Sequence, residues 1–324
     1  MPITRRHLLQ GVAAASAGLW IDRALARPSL ARIVVGFAAG GTLDVIARRI
    51  ADQLGGNFAD SVIVEGRTGA GGRIAIDATK IANPDGTTIV LSPSSPIVIF
   101  PHVYKKLSYD PVADLIPITP VCSNAQTFVV GPGVPESVKT LQDFVGWAKA
   151  NKTFYATPAA GSIMHFQGWV FGQAAGIEMT HVPYRGMAAI VPDLLSGTVP
   201  TSMAVTGDIR QHVEAGKLRA LAVTSAQRSR FLPNVPTFAE LGFDKVTGVD
   251  WYGLFAPAKT PQPVIEQLQQ AVHAAMKSKP VAEFLEQMGF DSYALDSAQL
   301  ASRIREETAR WAPVVKQSGF ELDN

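Results

Sequence analysis

Ser162 and His165 stand three residues apart, where one helical turn brings a hydroxyl and an imidazole within reach of each other. With a third, acidic member they would form a nucleophile and its base. No acidic residue near them stands out as that member, and no Gly-x-Ser-x-Gly elbow occurs in the chain. The preferred reading is structural: Ser162 caps a helix and His165 orients the loop before it. An exported serine hydrolase using Ser162 and His165 stays as the alternative. His102, His165, His181, His212 and His273 show no His-x-x-x-His spacing, and there is one cysteine, so no metal site is expected. No cofactor is expected either. No lysine follows the glycines of Gly40-Gly41, and the Gly-x-Gly-x-x-Gly spacing of a dinucleotide site is missing.

The chemistry that does recur is backbone chemistry. Phe37-Ala38-Ala39-Gly40-Gly41-Thr42-Leu43-Asp44 lies between an apolar run and a helix-periodic one. Gly40 and Gly41 allow positive φ and close approach of a ligand, and Thr42 is the expected N-cap. The first amides of the helix would then face outward at the positive end of its dipole. A carboxylate there gains roughly 0.3–1 kcal/mol. Similar turns recur at Ser94, after a third strand, and at Thr157-Pro158-Ala159-Ala160-Gly161-Ser162. Tyr184-Arg185-Gly186 and Thr206-Gly207-Asp208 are two more. Turns at the carboxyl ends of parallel strands are where α/β folds bind ligands. The candidate ligand-binding set is Phe37, Ala39, Gly40, Gly41, Thr42, Asp44, Ser94, Thr157, Gly161, Ser162, His165, Tyr184, Arg185, Gly186, Thr206 and Asp208. Phe37, Phe100, Phe166 and Tyr184 near these turns hint at an aromatic or apolar ligand body.

The elements that must position these turns follow from periodicity. Ala31 to Gly36 reads as a buried strand, and Leu43, Ile46, Ala47, Ile50 and Leu54 form one helical face. Ser61 to Glu65 and Thr87 to Leu91 read as strands around a helix over Ile74 to Ala82, with an Asn83-Pro84-Asp85-Gly86 turn. Strand, helix, strand at this spacing predicts parallel pairing and an α/β class. Ile116–Val121 and Thr127–Val130 read as two separate strands. Thr140 caps a helix, Thr153–Ala156 is a strand, and a helix begins near Ile163. Met179–Val182, Ser202–Val205, Leu218–Val223 and Val249–Phe255 are further strands. The rest is helical, with Pro261 as first residue of a helix after Thr260. The strand–turn–helix junction occurs once in each half, which suggests two facing lobes.

Composition narrows the class. The 324 residues are 47% apolar, enough for one large or two ordinary domains. Thr4-Arg5-Arg6-His7-Leu8-Leu9, an apolar run and Ala24-Leu25-Ala26 read as a twin-arginine-like export signal over residues 1–26, with a plain secretory signal as runner-up. The expected location is periplasmic, with cleavage near Ala26. Removing Arg5, Arg6, Arg23 and Asp22 from 29 basic and 27 acidic residues leaves 26 of each. A neutral chain without a basic run argues against nucleic acid as partner. Cys122 sits in an apolar stretch and reads as a core residue.

The chain resembles the periplasmic solute receptors of tripartite tricarboxylate transporters, the Bug family. The motifs are Val35-Gly36-Phe37-Ala38-Ala39-Gly40-Gly41-Thr42-Leu43-Asp44, Val64-Glu65-Gly66-Arg67-Thr68-Gly69-Ala70-Gly71-Gly72 and Asn83-Pro84-Asp85-Gly86. They continue with Gly161-Ser162-Ile163-Met164-His165, His181-Val182-Pro183-Tyr184-Arg185-Gly186, Gly216-Lys217-Leu218-Arg219-Ala220-Leu221-Ala222-Val223-Thr224 and Trp251-Tyr252-Gly253-Leu254-Phe255-Ala256-Pro257. The resemblance implies an α/β, two-lobed, type II-like periplasmic binding protein, with mixed sheets flanked by helices and the ligand cleft between the lobes. It implies one lobe of residues 27–125 and 249–324 and another of 126–248. It implies a monomer without catalysis that holds a small organic acid and delivers it to transporter membrane subunits; presentation to a sensor kinase is a variant of the same role. By the motif match, the Phe37–Asp44 turn grips the ligand from the first lobe, and the Thr157–His165 and Tyr184–Gly186 turns from the second. The chain departs from the family at Ala38 and Ala39, where two prolines are usual, and at Gly66, Thr68 and Phe166.

Overall fold

The computed structural model describes residues 27–323; the export-signal expectation lies outside them. The chain opens with β1 (Leu30–Val35), α1 (Thr42–Leu54), β2 (Ser61–Gly66), α2 (Arg73–Lys80) and β3 (Thr88–Pro93). β1 pairs in parallel with both β2 and β3. β1 is β-branched and wholly buried over Ile33 to Val35, as a strand covered on both faces should be. α1 buries the predicted face of Leu43, Ile46, Ala47, Ile50 and Leu54. Each of its large side chains contributes about 1.5–3 kcal/mol by leaving water.

Two short helices follow, α3 (Ser95–Val98) and α4 (Phe100–Val103). Four residues each is too short for a helical period to show, so the sequence did not display them. Next comes β4 (Leu115–Val130), one 16-residue strand where two were expected. The gap between the expected strands, Cys122 to Gln126, stays extended because its backbone pairs throughout. Up to Ala125, β4 runs antiparallel to β9 (Val249–Pro257), with Ala125 opposite Val249. From Gln126 it runs antiparallel to β7 (Thr201–Val205), with Gln126 opposite Val205. From Thr127 its other edge takes β8 (Arg219–Val223). The strand thus leaves one sheet and enters another, and the chain returns at Gly248–Val249.

The second sheet is built from β5 (Thr153–Thr157), which is parallel to β6 (Met179–Pro183) and to β7. Its helices are α5 (Leu141–Ala150), α6 (Ile163–Ala175), α7 (Met187–Ser196) and α8 (Thr206–Glu214). Thr140 and Asp143 close a reciprocal capping box on α5. Phe128 on β4 sits at the centre of the aromatic core of this half, edge-on to Phe144 at 4.9 Å and Phe171 at 5.2 Å. The chain ends on the first sheet with α9 (Gln262–Lys277), α10 (Lys279–Gln287), β10 (Asp291–Ser292) and α11 (Ser297–Ser318). Pro261 is the N-cap of α9 and not its first residue; Thr260 instead donates its hydroxyl to the Pro257 carbonyl.

The full order is β2-β1-β3-β9-β4-β7-β5-β6, with β8 and β10 attached to β4. It is a mixed α/β sheet system flanked by helices. The parallel strands β1, β3, β5, β6 and β7 each run into one of the turns singled out above. No helix among the described residues is long and apolar enough to cross a membrane. Cys122 is buried in the core.

Candidate functional site

The turn between β1 and α1 is closed by its own atoms. Gly36 has no room for a side chain: a Cβ there would lie 2.5 Å from Gly72 Cα, so the two glycine-rich turns touch. Gly40 adopts φ +77°, and its N–H donates to Asp44 Oδ2 at 2.9 Å. The N-cap of α1 is Gly41 and not Thr42, which becomes the first helical residue. Asp44, at the third helical position, ties the helix back to the turn before its cap. Arg48 adds two bonds to the same carboxylate, Nε at 2.9 Å and Nη2 at 3.0 Å. Burial pushes the Asp44 carboxyl up, but the bonds from Arg48 and Gly40 outweigh it and hold the group below its usual value. Asp44 therefore spends its charge inside the turn. What the turn presents outward is backbone: Ala38 to Gly41 are exposed, and the first amides of α1 have no intrahelical acceptor. Phe37 is half-buried beside Gly72.

At the end of β3, Ser94 is fully buried and donates to Asp250 Oδ1 at 2.5 Å, tying β3 to the start of β9. Burial raises the Asp250 carboxyl to about 6, against the pull of Ser94 and the Trp251 N–H. Ser95, absent from the sequence candidates, turns the other way. Its hydroxyl accepts the Ile163 N–H at 3.1 Å, reaching from the first sheet to the first helical amide of α6 on the second. Only its hydroxyl at a strand–helix junction could have marked it. Gly161, at φ +71°, lies against the same neighbourhood: a Cβ there would meet Val103 at 3.4 Å and Phe100 at 3.8 Å.

The β5–α6 turn is held by two histidines. Ser162 caps α6, accepting the His165 N–H at 3.3 Å and donating to the Ala159 carbonyl at 2.8 Å. His165 Nδ1 accepts the Gly161 N–H at 3.2 Å. Thr157 Oγ1 donates to Ala159, so the 2.7 Å contact with His181 Nε2 has the histidine as donor. The two imidazoles stack with centroids 3.8 Å apart, tilted 16°. Burial pushes both down, His165 to about 3 with help from His181, and His181 to about 4. The Ser162 hydroxyl makes no bond to the His165 ring. In this structure Ser162 is a helix cap and His165 a loop brace.

The β6–α7 turn is laced to the same loop: Tyr184 N–H donates to Thr157 O and Gly186 N–H to Pro158 O, each at 2.9 Å. The Tyr184 hydroxyl donates to Asp193 Oδ2 at 2.7 Å, and burial with that carboxylate raises it to about 12. Gly186, at φ +96°, is the N-cap of α7, and Arg185 is exposed. At the end of β7, Thr206 is buried and donates to the Ala125 carbonyl at 2.7 Å, which pins α8 to the crossing strand. Asp208 follows in the first turn of α8, and burial raises its carboxyl to about 6. Phe166 and Phe100 are buried, Phe166 against Phe320 and Trp311, and Phe100 against Tyr104. The expected aromatic wall is therefore core packing at those two positions. The structure joins the Ser94–Ser95 turn to the Gly161–Ile163 turn, and the Thr157 turn to the Tyr184–Gly186 turn. Among the described residues, no hydrogen bond links the Phe37–Asp44 turn to the second sheet.

Comparison with known proteins gives a consistent picture. The family described as "Tripartite tricarboxylate transporter family receptor" matches residues 46–320. Protein BugT of Bordetella pertussis is 32% identical over 329 residues, covering 99% of this chain and 100% of that protein. The structure described as "R. palustris Rpa4515 with adipate" superposes with a TM-score of 0.82 at 29% identity, covering 90% of this chain and 98% of that one. "MatC (Rpa3494) from Rhodopseudomonas palustris with bound malate" superposes with a TM-score of 0.75 at 26% identity, covering 88% and 98%. A match over most of the chain, with the same fold, places this protein in the tripartite tricarboxylate transporter receptor family.

Proposed function

We propose that this protein is a periplasmic solute receptor that closes two lobes on a small carboxylate and presents it to the membrane subunits of a tripartite tricarboxylate transporter. The lobes are residues 27–125 with 249–324, and 126–248. The observation that carries this reading is the Ser95–Ile163 hydrogen bond, which sets a strand-end turn of one sheet against a helix-opening turn of the other. A cleft between such turns offers backbone amides from both sides, the chemistry that suits a carboxylate. Family membership and the adipate and malate in the two related structures support it. The binding groups are the amides of Ala39 and Thr42 and of Ser162, which bond to nothing else among the described residues, with Arg185 and Asp208 at the rim. Asp44, Thr157, His165, Tyr184 and Thr206 act by holding these turns in shape. The protein works as an exported monomer and carries out no catalysis.

A thermal-shift screen of residues 27–324 against small carboxylates tests this. A ligand at 100 times its dissociation constant stabilises the folded state by about 2.7 kcal/mol. One class of acid raising Tm by several degrees is the expected result. No shift with any acid, together with ester turnover that Ser162→Ala abolishes, would overturn it in favour of a hydrolase.

A further inference from the structure

The turn that opens α8 carries a carboxylate that, among the described residues, no cation and no hydrogen-bond donor meets. Asp208 sits at the third position of α8, at the carboxyl end of β7. It is half-buried, and among the described residues its carboxylate makes no hydrogen bond and no ion pair. The comparable acids are all answered. Asp44 has Arg48 and the Gly40 amide; Asp250 has Ser94 and the Trp251 amide; Asp193 has Tyr184. An unpaired carboxylate withdrawn from water is costly, and a cation brought to it recovers that cost.

The sheet fixes where this charge stands relative to the amide cradle. In the order β7-β5-β6, the Asp208 turn and the Arg185 turn flank the central Gly161–Ser162 turn. Neighbouring strands lie about 4.8 Å apart, so the flanking turns are separated by roughly 10 Å. Arg185 is exposed and has no ion-pair partner among the described residues. A second gap in the bonding lies on β4, where among the described residues a buried amide is left without an acceptor. Asn124 on β4 is buried, and its Nδ2 has no partner. It adjoins Ala125, whose carbonyl Thr206 holds. A dicarboxylate would set its second anion against Asp208. A molecule with a carboxylate at one end and an ammonium group at the other satisfies both the amide cradle and Asp208.

We infer that the ligand is a zwitterion, a small amino-carboxylic acid whose ammonium group is bound by Asp208; this rests on the receptor reading above.

The test uses matched pairs that differ only in exchanging a carboxylate for an ammonium group. They are succinate with β-alanine, glutarate with 4-aminobutyrate and adipate with 5-aminopentanoate, alongside the α-amino acids. Dissociation constants are measured by titration calorimetry for the wild type, Asp208→Asn and Asp208→Ser. Both variants remove no internal bond, and unliganded Tm checks their folding. The expected result is an amino acid bound at least tenfold tighter than any diacid, with that preference lost in both variants. A diacid bound tighter than every amino acid, or a preference unchanged in both variants, would overturn the inference while leaving the receptor reading intact. Failure of every acid to bind would overturn both.

Discussion

Asp44 shows how a residue can matter to a site without facing it. Its carboxylate joins the Gly40 amide, the Arg48 guanidinium and the first turn of α1 into one unit. Asp44→Ala should destabilise the protein by about 1–3 kcal/mol in urea unfolding, because a charged hydrogen-bonded group is lost and the Gly40 amide is left free. Ligand affinity should fall with it, through the shape of the turn. This contribution is present above the ordinary carboxylate range and is lost as pH falls through the depressed pKa. The other titrating groups pull in opposite directions. Asp208 and Asp250 are raised to about 6, so the folded state takes up protons there before the unfolded chain does. Their charged forms cost stability above pH 6, and acidification from 6 to 4 restores it. His165 and His181 are depressed to about 3 and 4, so their contribution is full above pH 6.5 and shrinks as pH falls through the same window. Each proton is worth about 1.4 kcal/mol per pH unit. Two acids against two imidazoles should leave stability nearly level between pH 6 and 4. Asp208→Asn should make it fall with acid by about 1.4 kcal/mol per pH unit. Urea midpoints at pH 6, 5 and 4 check this; equal slopes in the two proteins would contradict it.

At the scale of elements, the informative ones join the sheets. β4 serves both, and Ser95 carries a second connection into α6. Ser95→Ala strands the Ile163 amide, and affinity should drop about fivefold, the worth of one buried hydrogen bond of ~1 kcal/mol. Ligand titration with unfolding as a control separates this from general damage. Gly207 forms another seam: a Cβ there would lie 1.8 Å from the Met288 carbonyl. Gly207→Ala should force α8 away from the end of α10, visible as a larger radius of gyration in small-angle scattering. The main elements were legible because they obey simple periods. α1 shows its apolar stripe, β1 its β-branched run, and the Ser162 cap its spacing to His165. What stayed hidden lacks a period or depends on distant partners. α3 and α4 are too short to repeat, and the continuity of β4 depends on strands over 70 residues away in sequence. Gly41 stands as cap where Thr42 was expected, and the Asp44–Gly40 bond beside it is one that no propensity encodes. Ser95 and Asp250 acquire meaning only from what they face.

For the whole molecule, a continuous sheet system whose strands end in amide-rich turns gives a receptor a means of recognising anions without a basic surface. The near balance of 29 basic and 27 acidic residues fits this, since local potential comes from helix ends. In the proposed receptor, closure would depend on contacts made only when the lobes meet, and ligand would shift that equilibrium by its preference for the closed form. The aromatic core around Phe128 packs the helices of the second half onto its sheet. Phe128→Ala should cost about 3–5 kcal/mol, read as a lower urea midpoint.

The central claim is that one carboxylate is held by the amides of both turns at once. The most direct measurement is a ¹⁵N amide titration of the protein with the acid giving the largest thermal shift. The account predicts that the amides of Ala39 and Thr42 and of Ser162 move together, with one dissociation constant. Perturbations confined to one of these turns, or lying elsewhere on the molecule, would contradict it.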